Sequence, residues 1–394
     1  MKKDTNRIFV VLALYAMAAG IFYNFQELWM IDNNLSVKTI GIVYSLCSII
    51  TASTIFLCSN LITKKKLKGF INILLIIKFI VIFLLFILNK SNLNIIIKFL
   101  IMVDYAVDTE IYICIYPLLA LINKDNKTYA KKDIIYDTCY YLGIFLTSIL
   151  IGKKLFSFNI DYNFYLFLTL ILIFGAILTI KDINITEYIN NEIENNNLFN
   201  SFINKLKHDK ISLYYLIMTI FSSISYYLIM GMFTTIATNI FSFSPSAIAN
   251  FRIILGLFSV IIGFIILQKL TFKKHNINIT IKFGGRTILY LLAFICNIRF
   301  IYILAILYTL ILKDSYTHIT DAPYINRVDN DYQLILCNSK AIMEYIGRAF
   351  GIFLCGILIS IDVRYIYLGC GLFGLVALLL RYYLAYLYNK EVKW

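Results

Sequence analysis

Apolar runs of about 20 residues, the length one helix needs to cross a bilayer core, follow one another along almost the whole chain. Read at that length they mark twelve spans, at 8–31, 37–61, 69–89, 94–122, 134–156, 162–181, 211–239, 246–270, 277–296, 299–326, 334–360 and 364–388. The chain therefore reads as an all-α integral membrane protein. Composition agrees: 60% of residues are hydrophobic and 15% charged, where a soluble domain carries roughly 25% charged residues. The first run follows a basic start, "MKKDTNR", as a signal peptide would. It is too long for a signal h-region and lacks a small-residue cleavage site, so it is kept as a helix.

Between the sixth and seventh runs lies one long polar stretch, "KDINITEYINNEIENNNLFNSFINKLKHDK". It divides the chain into a six-span half at 1–181, a linker at 182–210 and a second half at 211–394. The 36 basic and 22 acidic residues leave a net charge of +14. In a soluble protein that excess would point to nucleic acid; here it concentrates in alternate loops, such as "KKKLK" (64–68) and "NKDNKTYAKK" (123–132). Positive-inside placement then puts both termini and the linker in the cytoplasm of a multi-pass cell-membrane protein, with no nucleic-acid partner. The eight cysteines fall mostly inside apolar runs, with no CxxC pair. They read as packing residues, and neither a metal nor a cofactor is expected.

The halves echo each other. "LSVKTIG" (35–41) opens the second span and "FSPSAIA" (243–249) the eighth; Gly143 and Gly152 pair in the fifth span as Gly347 and Gly356 do in the eleventh. Asp108 and Pro117 recur as Asp314 and Pro323 at an offset of 206. On these features, the basic loops after spans two and eight, and the linker, the chain resembles the major facilitator superfamily over nearly its whole length. The loop motif expected after span two is eroded to "NLITKKKLKG" (60–69), and "YYLGIFLTSILIG" (140–152) lacks the proline of the drug-antiporter signature. Both departures weaken the case for drug/proton antiport. The resemblance implies two pseudo-symmetric six-helix bundles that rock about a central site in alternating access. It also implies a cavity lined by the first, fourth, seventh and tenth helices.

An ionisable residue at the bilayer centre costs about 2.5–3.5 kcal/mol on insertion scales, and persists where it meets water, a partner or cargo. In "MVDYAVDTEIY" (102–112), Asp104 and Asp108 share a helical face, with Tyr105 and Tyr112 on or beside it. They are expected to border the cavity; the alternative is that they neutralise Lys313 or Lys78 and lock helices together. Tyr23 and Glu27 of span one, and Ser222 and Tyr226 of span seven, are further lining candidates. In span ten, Asp314, His318 and Asp321 form one stripe at i, i+4, i+7 spacing. A histidine beside carboxylates suits proton relay. Glu344 and Arg348, four apart in span eleven, read as an intrahelical ion pair. Lys282 and Arg286 lie near enough to the inner side to snorkel.

The expected function is a secondary active transporter, proton-coupled, for a small polar or cationic solute, working as a monomer. Asp104, Asp108, Asp314 and Asp321 outnumber Lys313, the nearby cation, which favours cationic cargo. The alternatives are a lipid or amphiphile exporter and a membrane-embedded transferase. Against the enzyme, the chain has no HExxH pattern, no Gly-rich phosphate loop and no large soluble domain.

Overall fold

A computed structural model of the chain describes residues 2–32, 36–61, 66–88, 94–122, 132, 135–136, 138–147, 162–184, 209–239, 241–244, 247–248, 250–251, 254, 258, 275–296, 298–328 and 330–392. Among these residues all regular structure is helical, as hydrocarbon demands of a backbone that must bond its own N–H and C=O groups. The helices are α1 (Lys2–Asp32), α2 (Val37–Leu61), α3 (Leu67–Leu88), α4 (Asn94–Ile122), α5 (Thr138–Thr147) and α6 (Tyr162–Lys181). Then come α7 (Lys210–Met230), α8 (Phe233–Asn239), α9 (His275–Ile279), α10 (Arg286–Cys296), α11 (Arg299–Asn326), α12 (Asn330–Leu358) and α13 (Val363–Val392). Seven of the apolar runs match helices to within four residues at both ends. The run at 246–270 lies almost wholly outside the described residues, as does most of the linker at 182–210. Seven of the described helices are long and apolar enough to cross a membrane.

The apolar runs bury one stripe and expose another that is equally apolar. In α3, Ile71, Leu74, Leu75, Lys78, Ile82 and Leu85 are buried, while Ile73, Ile80, Phe83 and Ile87 are exposed. In α6, Tyr165, Leu166, Thr169, Ile173 and Ile177 face inward, while Phe167, Ile171, Phe174 and Leu178 face out. An outer face of this kind suits lipid rather than water. Hydroxyls inside the helices bond the carbonyl one turn back, as Thr169 does to Tyr165 at 2.8 Å and Thr147 to Gly143 at 2.6 Å. The described cysteines are all free thiols.

The chain forms two compact units. The first comprises 1–35, 57–195 and 243–256, and the second 36–56, 196–242 and 257–394. Within the first, α1 packs on α6, and α3 lies against both α4 and α6. Arg7 and Lys68 bond backbone carbonyls of Asp182 and Ile183, and Lys68 also reaches Lys181 at 2.9 Å. The starts of α1 and α3 therefore share an end of the unit with the finish of α6. Within the second, α7 lies against α12 and α13, and α10 packs on α13. Asp209 caps α7, accepting from the N–H groups of Ile211 and Ser212 at 3.1 and 3.3 Å, and pairs with Arg327 just beyond α11.

The glycine echo seen in the sequence has a packing counterpart in each unit. A Cβ added to Gly143 of α5 would strike the Met17 carbonyl of α1 and lie 3.0 Å from the Ile21 nitrogen. A Cβ on Gly347 of α12 would lie 2.6 Å from the Ile220 carbonyl of α7 and 2.8 Å from Ser223 Cβ. In both units, a helix crosses its neighbour so closely that only glycine fits, the usual small-residue solution for helix contact in membranes.

Candidate functional site

In the first unit the buried charges converge on one lysine. Asp104 and Asp108, one turn apart on α4, both face Lys78 of α3. Lys78 Nζ lies 3.0 Å from Asp104 Oδ1 and 2.6 Å from Asp108 Oδ1. The lysine and Asp104 have no solvent exposure, and Asp108 almost none. Tyr15 of α1 donates to the Asp108 backbone carbonyl at 2.5 Å. The second oxygen of Asp104 is buried without a hydrogen-bond partner, so two carboxylates share one ammonium. Glu110 is buried as well. Tyrosines surround this cluster: Tyr23 meets Tyr105 edge-on at 5.6 Å, and Tyr112 meets Tyr136 at 4.6 Å.

The second unit holds a larger charged cluster. Asp321 of α11 pairs with Arg381 of α13 and, at 2.8 Å, with Lys340 of α12. Arg381 is fully buried and sits in an aromatic box, its guanidinium 5.7 Å from the Tyr215 ring, 5.3 Å from Phe283 and 5.0 Å from Tyr324. A desolvated guanidinium gains about 2 kcal/mol from such a face. Beside this cluster is a cavity of about 70 Å³, walled by Ser222, Tyr226, Lys282, Arg286, Asp321 and Glu344, among others.

A local change of helical winding sets part of that wall. Residues Thr280–Gly285 are π-helical, between α9 and α10. The wider turn carries Lys282 and leads directly into Arg286. Tyr308 of α11 donates to the Ile281 carbonyl at 2.6 Å. Its hydroxyl occupies the place a Cβ on Gly285 would need. π-Turns of this kind recur at functional positions because they re-aim side chains without breaking the helix.

No protein-family model and no curated protein sequence matches the chain. Solved structures do. The POT family transporter PepTSo superposes with a TM-score of 0.69 at 9% identity, covering 99% of each chain. A bacterial homologue of the human lysosomal transporter Spinster gives 0.68 at 11% identity, over 99% of this chain and 98% of that one. A D-xylose–proton symporter gives 0.65 at 11% identity, over 96% of both. The chain has the major facilitator fold.

Within the major facilitator fold, the residues singled out from sequence fall into three groups, with Arg348 apart. Ser222, Tyr226, Asp321 and Glu344 line the cavity of the second unit. Asp104, Asp108, Tyr105 and Tyr23 lie in the first unit, the two carboxylates against Lys78, which sequence reasoning had raised as the alternative to a cavity role. Tyr112 joins the same aromatic group, with Lys132 Nζ 4.1 Å from its ring. The side chains of Glu27, Asp314, His318 and Lys313 lie outside the described residues, although their helices run through those positions. Arg348 stacks on the Tyr227 ring at 4.6 Å and lies 5.8 Å from Tyr345.

Two expectations need correction. Lys282 and Arg286 do not snorkel: both are buried and face the cavity. The count of carboxylates over cations also fails for this cavity. Lys282, Arg286, Lys340 and Arg381 stand there against Asp321 and Glu344. The count set carboxylates of spans four and ten against Lys313 alone, whereas the cations of this cavity come from α10, α12, α13 and the π-turn. Lys340 and Arg381 went unnoticed, although Arg381 sits alone in the apolar stretch "LLLRYYLAYL" (378–387). The rule that flagged Asp104 applied equally to it.

Proposed function

We propose that the chain is a secondary active transporter that moves a small polar solute across the membrane by alternating access, coupled to protons. In this reading, residues 1–181 and 211–394 are six-helix bundles, joined by a cytoplasmic linker at 182–210. Both termini are cytoplasmic and the monomer is the working unit. The observation that carries the reading is a charged, half-open cavity among apolar helices, in a chain with the major facilitator fold. Charges are tolerated within apolar helices where they serve a polar pathway. Lipid export would call for a greasy cavity, and this wall is charged and hydroxyl-rich. Proton coupling is assigned to Asp314 and His318, by their one-turn spacing and the charge change of histidine between about pH 5 and 8. Support for it comes from the D-xylose–proton symporter among the structural neighbours. Asp321, held between Arg381 and Lys340, instead shapes the cavity.

The test is flux. Purified protein in proteoliposomes should accumulate at least one polar solute from a mixed panel when a pH gradient is imposed. Accumulation should collapse when the gradient is dissipated. If no solute moves faster than in protein-free vesicles, the reading fails.

A further inference from the structure

We propose that the cavity of the second unit is an anion site, which takes the carboxylate or phosphate group of a small soluble solute on the guanidinium of Arg286. This deepens the transport reading and rests on it for calling the ligand cargo; the binding itself does not depend on it.

Charge is the first argument. Four cations and two carboxylates line the cavity. Asp321 is already engaged by Arg381 and Lys340, so it leaves little negative charge for the rest of the wall. An excess of buried positive charge is expensive unless an anion or water meets it. A cationic ligand would raise that cost, and an anionic one removes it.

Unmet hydrogen-bonding capacity is the second. Arg286 is 5% exposed, and its Nε and Nη2 are buried with no hydrogen-bond partner. Its guanidinium lies 5.6 Å from the Phe283 ring, which supports one side without supplying an acceptor. Arg381 also keeps Nε and Nη1 without partners. A buried ionised donor without an acceptor is rare in folded proteins, because it forfeits its hydration. The planar guanidinium fork matches two oxygens of a carboxylate or a phosphate.

Size and the remaining wall fit the same ligand. A cavity of about 70 Å³ holds roughly five to seven waters at ~10–15 Å³ each, room for one anionic group with a short body. The hydroxyls of Ser222 and Ser223 on α7 add neutral donors along one side. The π-turn places Lys282 and Arg286 on the same wall.

The experiment is ligand-dependent thermal stability of the full chain in detergent at fixed ionic strength. The probes are inorganic phosphate, succinate and glycerol 3-phosphate, with choline and putrescine as cationic counterparts. At least one anion should stabilise saturably and neither cation should. R286Q should weaken the apparent affinity by at least about tenfold, the loss of one charged hydrogen-bond pair. R286K, which keeps the charge but not the fork, should fall between. E344Q removes a like charge facing the ligand and should tighten binding by about three- to tenfold. The gain expected of E344Q decides the matter even if R286Q does not fold. The proposal is overturned if no anion stabilises, or if affinity is the same in wild type, R286K and E344Q. It is also overturned if only phosphatidylglycerol vesicles stabilise, because the ligand is then a lipid headgroup. Anion binding without flux in proteoliposomes would sink the transport reading alone. Flux of a cation without anion binding would sink this inference alone.

Discussion

Asp321 and Arg381 meet inside the second unit across sixty residues of sequence, and Lys340 closes on the same carboxylate from a third helix. One acid thus ties α11, α12 and α13 together at the edge of the cavity. The three partners are unequal, because Asp321 answers both Arg381 and Lys340, and both cations depend on that one carboxylate for their ion pair. Breaking a buried pair from its deficient side costs about 3–5 kcal/mol, since the orphaned charge stays buried.

Asp321→Asn is therefore expected to destabilise by about 3–5 kcal/mol, leaving the buried Arg381 and the half-buried Lys340 without their acid. Arg381→Leu should cost less, because Lys340 still answers the carboxylate and the aromatic box accepts an apolar side chain. Thermal unfolding of both variants in detergent measures this. Equal losses would show that Asp321 is not the hub.

Lys78→Met leaves Asp104 and Asp108 buried without the ammonium they share and should destabilise by about 3–5 kcal/mol. Asp104→Asn alone should be mild, since Asp108 keeps the closer contact with the lysine, at 2.6 Å against 3.0 Å. Adding Asp104→Asn to Lys78→Met should recover part of the loss. A double-mutant cycle reads the coupling, and strict additivity would contradict a shared charge cluster.

The close helix crossings predict a matched pair of effects. Gly143→Ala and Gly347→Ala should each destabilise by about 1–3 kcal/mol through overpacking, because the new methyl meets backbone in both cases. Gly69→Ala, with nothing within 4 Å of the added carbon, is the control and should be neutral or slightly stabilising. A loss at Gly69 as large as at Gly347 would refute the packing account.

For coupling, Asp314→Asn should abolish gradient-driven accumulation yet preserve exchange of solute at equal pH. His318→Gln should move the pH profile of transport more than the solute affinity. Proteoliposome flux measured from pH 5 to 9 spans the range in which histidine changes charge. Wild-type behaviour in both variants would place the coupling site elsewhere.

Helix bounds were legible in the sequence because hydropathy is a local property. The runs at 37–61, 94–122, 162–181 and 299–326 coincide with α2, α4, α6 and α11, since about 20 apolar residues in hydrocarbon have few other ways to satisfy a backbone. Gly143 and Gly347 were legible for a similar reason: a missing side chain in an apolar helix marks where another backbone comes close. Partnership was legible only as a choice, with Lys78 and Lys313 both open as partners of Asp104 and Asp108. Nothing in the spacing of Asp104 and Asp108 says that Lys78 of α3 turns toward them. Nothing in "LLLRYYLAYL" says that Arg381 reaches Asp321. The sign of the cavity's charge was decided in the same way, by which helices pack side by side. Sequence determined which segments enter the membrane and which ionisable groups they carry. Tertiary packing decided which charges neutralise one another and which are left facing the cavity, because Coulomb attraction depends on distance in space and not on distance along the chain.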